Sequence, residues 1–335
     1  MKLLFACAII DTVTTLYEEG AKLFSSPKKI FTLTTNPAID LHIYADSLKI
    51  GGVSTARAAQ RHSGGKGVNL SRALDAMGVA SECIVFVGRE NAGEYLAGLS
   101  GMKGVSERLT DGAVRENINI HTPEGDSVIA TAGAPLTDAD IRSLEYYLYS
   151  QTRVGDILCF CGRVAMEENK NALLPLLREL SERGVRVILD SASLTLSDVE
   201  KIKPYAIKPN EEELCALFGR DSVTREEAAL LARELCLRGV GLSLVTLGAD
   251  GAILASRKEA YYAKTPKIEV SSTTGAGDSA LAGLMCATLG GVNMSVTLRY
   301  SVASGSAASL TNGTLPPDPC EIKRLLPLIS SERVW

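Results

Sequence analysis

The chain has 335 residues, 46% of them apolar, which supports a sizeable buried core and excludes a disordered polypeptide. A net charge of −4 leaves no basic field of the kind a general nucleic-acid binder needs. Eight cysteines lie scattered, without a CxxC pair or a histidine at zinc spacing, so reduced core thiols are expected rather than a metal or redox centre.

Residues 1–29 read as an N-terminal extension with a helix near Thr14–Phe24. Its first apolar run is far shorter than the roughly 20 residues that span a bilayer, so a soluble, cytoplasmic protein is expected. Ile30–Thr35 is a β-branched strand stopped by Asn36-Pro37, and Asp40 follows at its carboxyl end, where open α/β sheets bind ligands. Leu41–Arg61 reads as a half-exposed hairpin turning at Gly51-Gly52. Gly64-Gly65-Lys66-Gly67-Val68-Asn69 opens the amphipathic helix Leu70–Met77, which Gly78 closes.

Strand Cys83–Val87 and helix Ala92–Leu99 continue the alternation. Val114–His121 and Ser127–Thr131 form a second hairpin, with Arg115, Asn117 and Asn119 on one face by the two-residue period of a strand. The two hairpins together predict a small sheet over the main body, a β lid formed by about 41–61 and 113–131. Strands Ile157–Phe160, Val185–Leu189, Tyr205–Ile207 and Leu242–Leu247 then alternate with helices Glu167–Arg183, Glu211–Phe218 and Arg225–Arg238. Gly251–Ser256 and Glu259–Lys264 read as an antiparallel pair, Lys267–Val270 as extended, and Ala280–Leu289, Ser295–Leu310 and Pro319–Ile329 as helices. Strands alternating with helices predict an α/β fold, a mostly parallel sheet covered on both faces. No repeat or linker interrupts residues 30–335, which implies one domain with the hairpins inserted.

Three strand-end turns carry chemistry. Ser272–Ser279 is a turn of small residues before a buried helix, and such a terminus attracts anions, phosphate above all. Asp278 in that turn either caps the helix or takes the proton of a hydroxyl that attacks a phosphoryl group. Lys66 sits among three glycines, combining an anion pocket with a point charge. The segment is neither a Walker A loop, since Gly67 replaces Ser/Thr, nor a dinucleotide fingerprint, since Leu70 replaces its last glycine. At Lys208-Pro209-Asn210-Glu211-Glu212-Glu213, Asn210 caps a helix or, with Glu213, serves a magnesium ion that keeps most of its waters.

These pieces, in this order from about Ile30 to Ile329, resemble the ribokinase/PfkB-like sugar kinases, in particular their hexose-phosphate branch. That branch includes 1-phosphofructokinase, tagatose-6-phosphate kinase and a 6-phosphofructokinase. Thr35–Asp40 looks like its opening motif, Gly64–Asn69 and Thr274–Ser279 like its two signatures, Asn210 and Glu213 like its NxxE pair, and Val302–Thr314 like its late nucleotide-binding helix. The resemblance implies a three-layer α/β/α sandwich. It implies Asp278 as base, with Gly275, Ala276 and Gly277 amides forming an anion hole. Asp40, Gly64, Gly65, Lys66, Asn69 and Arg115 would hold a sugar phosphate. Lys208, Asn210, Thr246, Gly248, Gly251 and Ser306 would bind ATP, and Asn210 and Glu213 would organise Mg²⁺ through water.

The implied reaction is ATP-dependent phosphorylation of fructose 1-phosphate, with tagatose 6-phosphate or fructose 6-phosphate as rival acceptors. A non-catalytic regulator binding the same ligands is the competing class. Neither nucleic acid nor membrane is an expected partner, and a homodimer through the β lid is. The pattern departs at Cys161-Gly162-Arg163-Val164, where the family usually shows Gly-Ser-Leu-Pro. Arg163 would clamp a phosphate or alter the sugar site. His42, His62 and His121 show no metal spacing and are expected to pack on the surface or lid. Asp190, ending a strand, would serve the nucleotide side or cap structure. A carboxylate's reference pKa of about 3.9 implies that Asp278 is ionised without special tuning.

Overall fold

The computed structural model describes residues 28–335, and the helix expected near Thr14–Phe24 lies outside them. The chain builds two sheets, whose strands in chain order are β1 Ile30–Thr34, β2 Ala38–Ala45, β3 Ala56–Gly64, β4 Glu82–Gly88, β5 Val105–Thr110, β6 Arg115–Thr122 and β7 Gly125–Ala130. The second half supplies β8 Ile157–Cys161, β9 Arg186–Asp190, β10 Ala206–Ile207, β11 Leu242–Thr246, β12 Ala252–Ala255, β13 Ala260–Ala263 and β14 Ser331–Arg333.

The large sheet runs β14-β13-β12-β11-β10-β9-β8-β1-β4-β5. It is parallel from β5 through β11 and antiparallel beyond, which is how a doubly covered sheet ends at an edge. Alternation along the strands sorts the core into two layers. Phe31, Leu33, Leu158 and Phe160 face helices Asp138–Gln151, Glu167–Glu182 and Arg225–Leu237. Ile30, Ile157, Cys159 and Cys161 face helices Lys66–Ala76, Ala276–Leu289 and Met294–Ala308. The result is the α/β/α sandwich that the alternating pattern predicts. Of the described cysteines all but Cys320 are buried and every one is free, as reduced core thiols are.

Local signals set the helix starts. Thr137 with Asp140, Thr195 with Asp198, Asn210 with Glu213 and Thr224 with Glu227 each form a reciprocal capping box. The helices Asp138–Gln151 and Leu196–Ile202 and the edge strands β5 and β14 are elements that the periodicity reading did not find.

The small sheet has the order β3-β2-β6-β7. Its two hairpins join through a parallel β2–β6 pairing, and its strands reach closer to the body than the 41–61 expectation, starting at Ala38 and returning to Gly64. Asp40 therefore lies in β2, beyond the end of β1. The extended segment expected at Lys267–Val270 forms no strand. It has no neighbouring strand to pair with, and just after it the Ser271 and Ser272 amides donate to the Ser309 carbonyl. Among the described residues no helix is long and apolar enough to cross a membrane.

Candidate active site

The carboxyl ends of β10 and β11, the starts of helices Lys66–Ala76 and Ala276–Leu289, and the facing side of the small sheet enclose a cavity of about 1020 Å³. The turn before helix Ala276–Leu289 forms its floor. Gly275 adopts φ +81, a left-handed conformation that favours glycine, and so turns the chain into the helix without a Cβ penalty. The Ser279 amide closes onto the Gly275 carbonyl at 2.9 Å and the Ala276 amide onto that of Thr273 at 3.3 Å, which leaves the Gly275 and Gly277 amides of the turn available to an anion in the cavity.

Asp278 is the third residue of that helix and is 6% exposed. Its Oδ2 accepts a 3.0 Å hydrogen bond from Asn69 Nδ2, which reaches across from helix Lys66–Ala76. Burial, reinforced by the Asp190 charge and opposed by Lys208 and Lys66, pushes the Asp278 carboxyl up to about 6. This corrects the expectation of an untuned carboxylate: a side chain inside a helix N-terminus, packed between two layers, loses the hydration that an exposed turn would give it.

Asp190, the last residue of β9, is buried behind the opposite wall and is the hub of its lysines. Its Oδ1 lies 2.8 Å from Lys66 Nζ and 3.3 Å from Lys208 Nζ. Burial raises its carboxyl, but Lys208 and Lys66 outweigh that and hold it below the ordinary range. Lys66 also meets Glu213 Oε1 at 3.1 Å. Burial works against its charge, yet Asp190 and Glu213 hold the ammonium well above its usual value. Lys66 is thus a cation braced by two carboxylates, not the freely solvated point charge that the glycine-rich turn suggests. Asp190 carries the geometry of the wall, a central place that its strand-end position alone did not distinguish from a structural cap.

Asn210 and Glu213 form a capping box: Asn210 Oδ1 accepts from the Glu213 amide at 2.7 Å and Glu213 Oε2 from the Asn210 amide at 3.0 Å. Both still line the cavity, as do Lys208, Thr246, Gly248, Gly251 and Ser306. The irregular stretch 264–268 completes this side, and no motif singles it out in the sequence.

On the other side, Asp40, Gly65, Lys66, Asn69 and Arg115 line the cavity, together with Asn117. Asn117 Nδ2 donates to Asp40 Oδ1 at 2.7 Å, and Arg115 Nη1 to Asn117 Oδ1 at 3.3 Å. The residue order in β6 had put Asn117 on the Arg115 face, and the β2–β6 pairing sets it opposite Asp40. Gly64 does not line the cavity but permits this arrangement, since a Cβ there would fall 2.7 Å from Asp40 Oδ2. Burial lowers the Arg115 guanidinium, and Arg163 lowers it further while Asp40 opposes. Arg163 itself is exposed, outside the cavity lining, and makes no hydrogen bond or ion pair among the described residues.

The cavity thus offers an anion site at a helix terminus, a buried carboxylate tuned near neutrality beside it, and a cationic wall within reach. That is the equipment of an α/β phosphotransferase acting on a hydroxyl group. Residues 33–320 match the profile described as pfkB family carbohydrate kinase, and the chain belongs to that family. It is 28% identical over 284 residues to 1-phosphofructokinase of Bacillus subtilis, covering 84% of this chain and 93% of that protein. Against 1-phosphofructokinase of Rhodobacter capsulatus it is 31% identical over 296 residues, covering 87% and 93%. Phosphofructokinase-2 from Escherichia coli, solved with substrates and products, superposes with a TM-score of 0.82 at 25% identity, covering 89% of this chain and 98% of that one. The protein is a carbohydrate kinase, with ATP as the family's co-substrate.

Proposed function

We propose that the chain is a 1-phosphofructokinase, transferring the γ-phosphoryl group of ATP to the 6-hydroxyl of fructose 1-phosphate. The carrying observation is Asp278, buried at the anion-binding helix terminus and hydrogen-bonded to Asn69 on the acceptor side. Asp278 takes the hydroxyl proton as the oxygen attacks. The Gly275 and Gly277 amides, joined by that of Ala276 once it gives up its 3.3 Å bond to the Thr273 carbonyl, receive the charge that builds on the transferring group, commonly the largest catalytic contribution in a dry site. Lys208 and the Thr246–Gly251 turn hold the nucleotide, with Ser306 on the helix behind it. Asp40, Gly65, Lys66, Asn69 and Arg115 orient the sugar phosphate. Arg163, unpaired and within electrostatic reach of Arg115, clamps the acceptor's phosphate as the small sheet closes as a lid.

The donor set fits a magnesium ion held chiefly by the triphosphate and water. Among the described residues no cluster of three His, Cys, Asp or Glu side chains could cage a metal. Asn210 and Glu213, already joined to each other, would touch the ion's waters, and Asp190 Oδ2 is a buried acceptor without a partner. Bound there, the ion neutralises phosphate charge.

The outer face of the small sheet supports a homodimer in the cytoplasm. Leu41, Ile43, Ile118, Ile120 and Ile129 share it by register, and Ile129 is 57% exposed. A second copy of the same sheet covers such a face without leaving an aliphatic patch in water.

The test is ADP release with Mg-ATP across fructose 1-phosphate, fructose 6-phosphate, tagatose 6-phosphate, fructose and ribose. Preference for fructose 1-phosphate is expected. Preference for another sugar reassigns the acceptor, and nucleotide binding without turnover on any of them overturns the kinase reading in favour of a regulator.

A further inference from the structure

Three histidines from three strands share the cavity-side face of the small sheet with Asp40, Asn117 and Arg115. His42 is 7% exposed. Its ring stacks on His121 with centroids 5.3 Å apart and planes 7° from parallel, and its Nδ1 lies 3.0 Å from His121 Nε2. His121 Nδ1 in turn lies 3.0 Å from Oδ1 of Asp126, which is exposed at the sheet's edge. Tyr44 stacks on His121, and the His62 ring meets His42 edge-on. The chain runs from solvent at Asp126 inward to His42, whose Nε2 is buried with no hydrogen-bond partner. An unpaired buried polar atom costs about 1–3 kcal/mol.

The proton positions follow from Asp126. An ionised carboxylate only accepts, so His121 Nδ1 carries a hydrogen and, in the neutral ring, Nε2 is a lone pair. That lone pair takes the Nδ1–H of His42, leaving His42 Nε2 bare. One added proton has two places to go. It sits on His42 Nε2 directly, or it makes His121 the cation, whose Nε2–H then donates to His42 Nδ1 and leaves the His42 hydrogen on Nε2. Either way, His42 Nε2 changes from acceptor to donor.

We infer that His42, wired through His121 to Asp126, is a positioning residue for the acceptor. When a phosphorylated sugar binds beside Asp40 and Arg115, the pair takes one proton from solvent at the Asp126 end. His42 then presents an N–H and a positive charge on the side where Asp40 holds the sugar. The charges facing His42 set the balance. Burial keeps it neutral in the free protein, Asp40 on its own strand and Asp126 on β7 favour protonation, and His62 on β3 with His121 on β6 oppose it. Arg115 lies on the same face of β6, opposite Ala38, and an incoming phosphate dianion offsets its charge. Asp40, itself raised by burial and lowered by Asn117 and His42, would be stabilised in its ionised, hydroxyl-accepting form.

This inference rests on the sugar-phosphate reading above, and the test separates the two. Full-length wild type, His42→Asn and Asp126→Asn are titrated with fructose 1-phosphate by calorimetry in two buffers of different ionisation enthalpy. KM for fructose 1-phosphate and for ATP is measured in parallel from pH 5.5 to 8.5. The phosphate's own second ionisation, near pH 6, is common to all three proteins and cancels in their ratios.

Wild type is expected to take up more protons on binding than His42→Asn. The variants' KM for fructose 1-phosphate, relative to wild type, should rise about tenfold at pH 6 and converge at pH 8.5, where His42 is neutral. KM for ATP should not move. Parallel acceptor profiles and equal proton uptake in all three proteins would overturn the inference, while a wild type that neither binds nor phosphorylates the sugar overturns the functional reading instead. Asp126 is exposed, so Asp126→Asn carries the test even if His42→Asn fails to fold.

Discussion

Asp278 gives the most direct check on the chemistry, because its tuning sets the pH at which the enzyme can work. A base must be ionised to take a proton. With the carboxyl pushed up to about 6 by burial and by Asp190, activity depends on the fraction deprotonated. That fraction is about 0.9 at pH 7 and about 0.1 at pH 5, so kcat at saturating acceptor should fall roughly tenfold across the interval, where an untuned aspartate would lose almost nothing. Asp278→Asn removes the base but keeps the size and the Asn69 contact. General-base removal typically costs about 10²–10⁴-fold, or about 2.7–5.4 kcal/mol of barrier. ADP release measured by a coupled assay from pH 5 to 8, together with nucleotide binding by fluorescence, checks both. Flat wild-type activity down to pH 5 would refute the tuning, and an Asp278→Asn variant within tenfold of wild type would remove Asp278 from the base role.

Asn69→Ala deletes the hydrogen bond that favours ionised Asp278, so the inflection in the pH–rate profile should move above 6. An unmoved inflection counts against that contact. Arg163→Ser should raise KM for the phosphorylated acceptor about tenfold and leave KM for ATP alone, and an unchanged or lower acceptor KM sinks the clamp. Asp190→Asn strands the buried Lys208 and leaves Lys66 with Glu213 alone, and should cost about 3–5 kcal/mol in a urea melt. A loss below about 1 kcal/mol would mean that water already solvates those lysines. Gly275→Ala forces a Cβ into a left-handed turn and should cost about 1–2 kcal/mol of stability, read from the same melts.

The layer order was legible because strands and helices alternate with periods that physics ties to sheet and helix. The turns were legible because glycine, proline and caps punctuate them. Asp278 stood out as a carboxylate where an anion site needs none, and Lys66 and Lys208 as cations at strand or helix ends. What escaped lies at a distance in the chain. Asp190 reads as one more strand-end acid until β9 folds beside β8 and β10, and only then do two lysines, 124 residues and 18 residues away in the chain, converge on it. The three histidines read as scattered because 20 and 59 residues separate them, and register alone stacks them on one face.

By itself, then, the sequence determined the elements of the main alternation, their order and the residue types at each strand end, but not two of the helices or the edge strands β5 and β14, since a local pattern reports only on neighbours within a few positions. Tertiary structure decided which charges meet and which lose water. The Asp278 shift, the bracing of Lys66 and the turning of Asp40 into the small sheet all depend on that. Desolvation and Coulomb interaction follow distance in space, and no local pattern in a sequence encodes it.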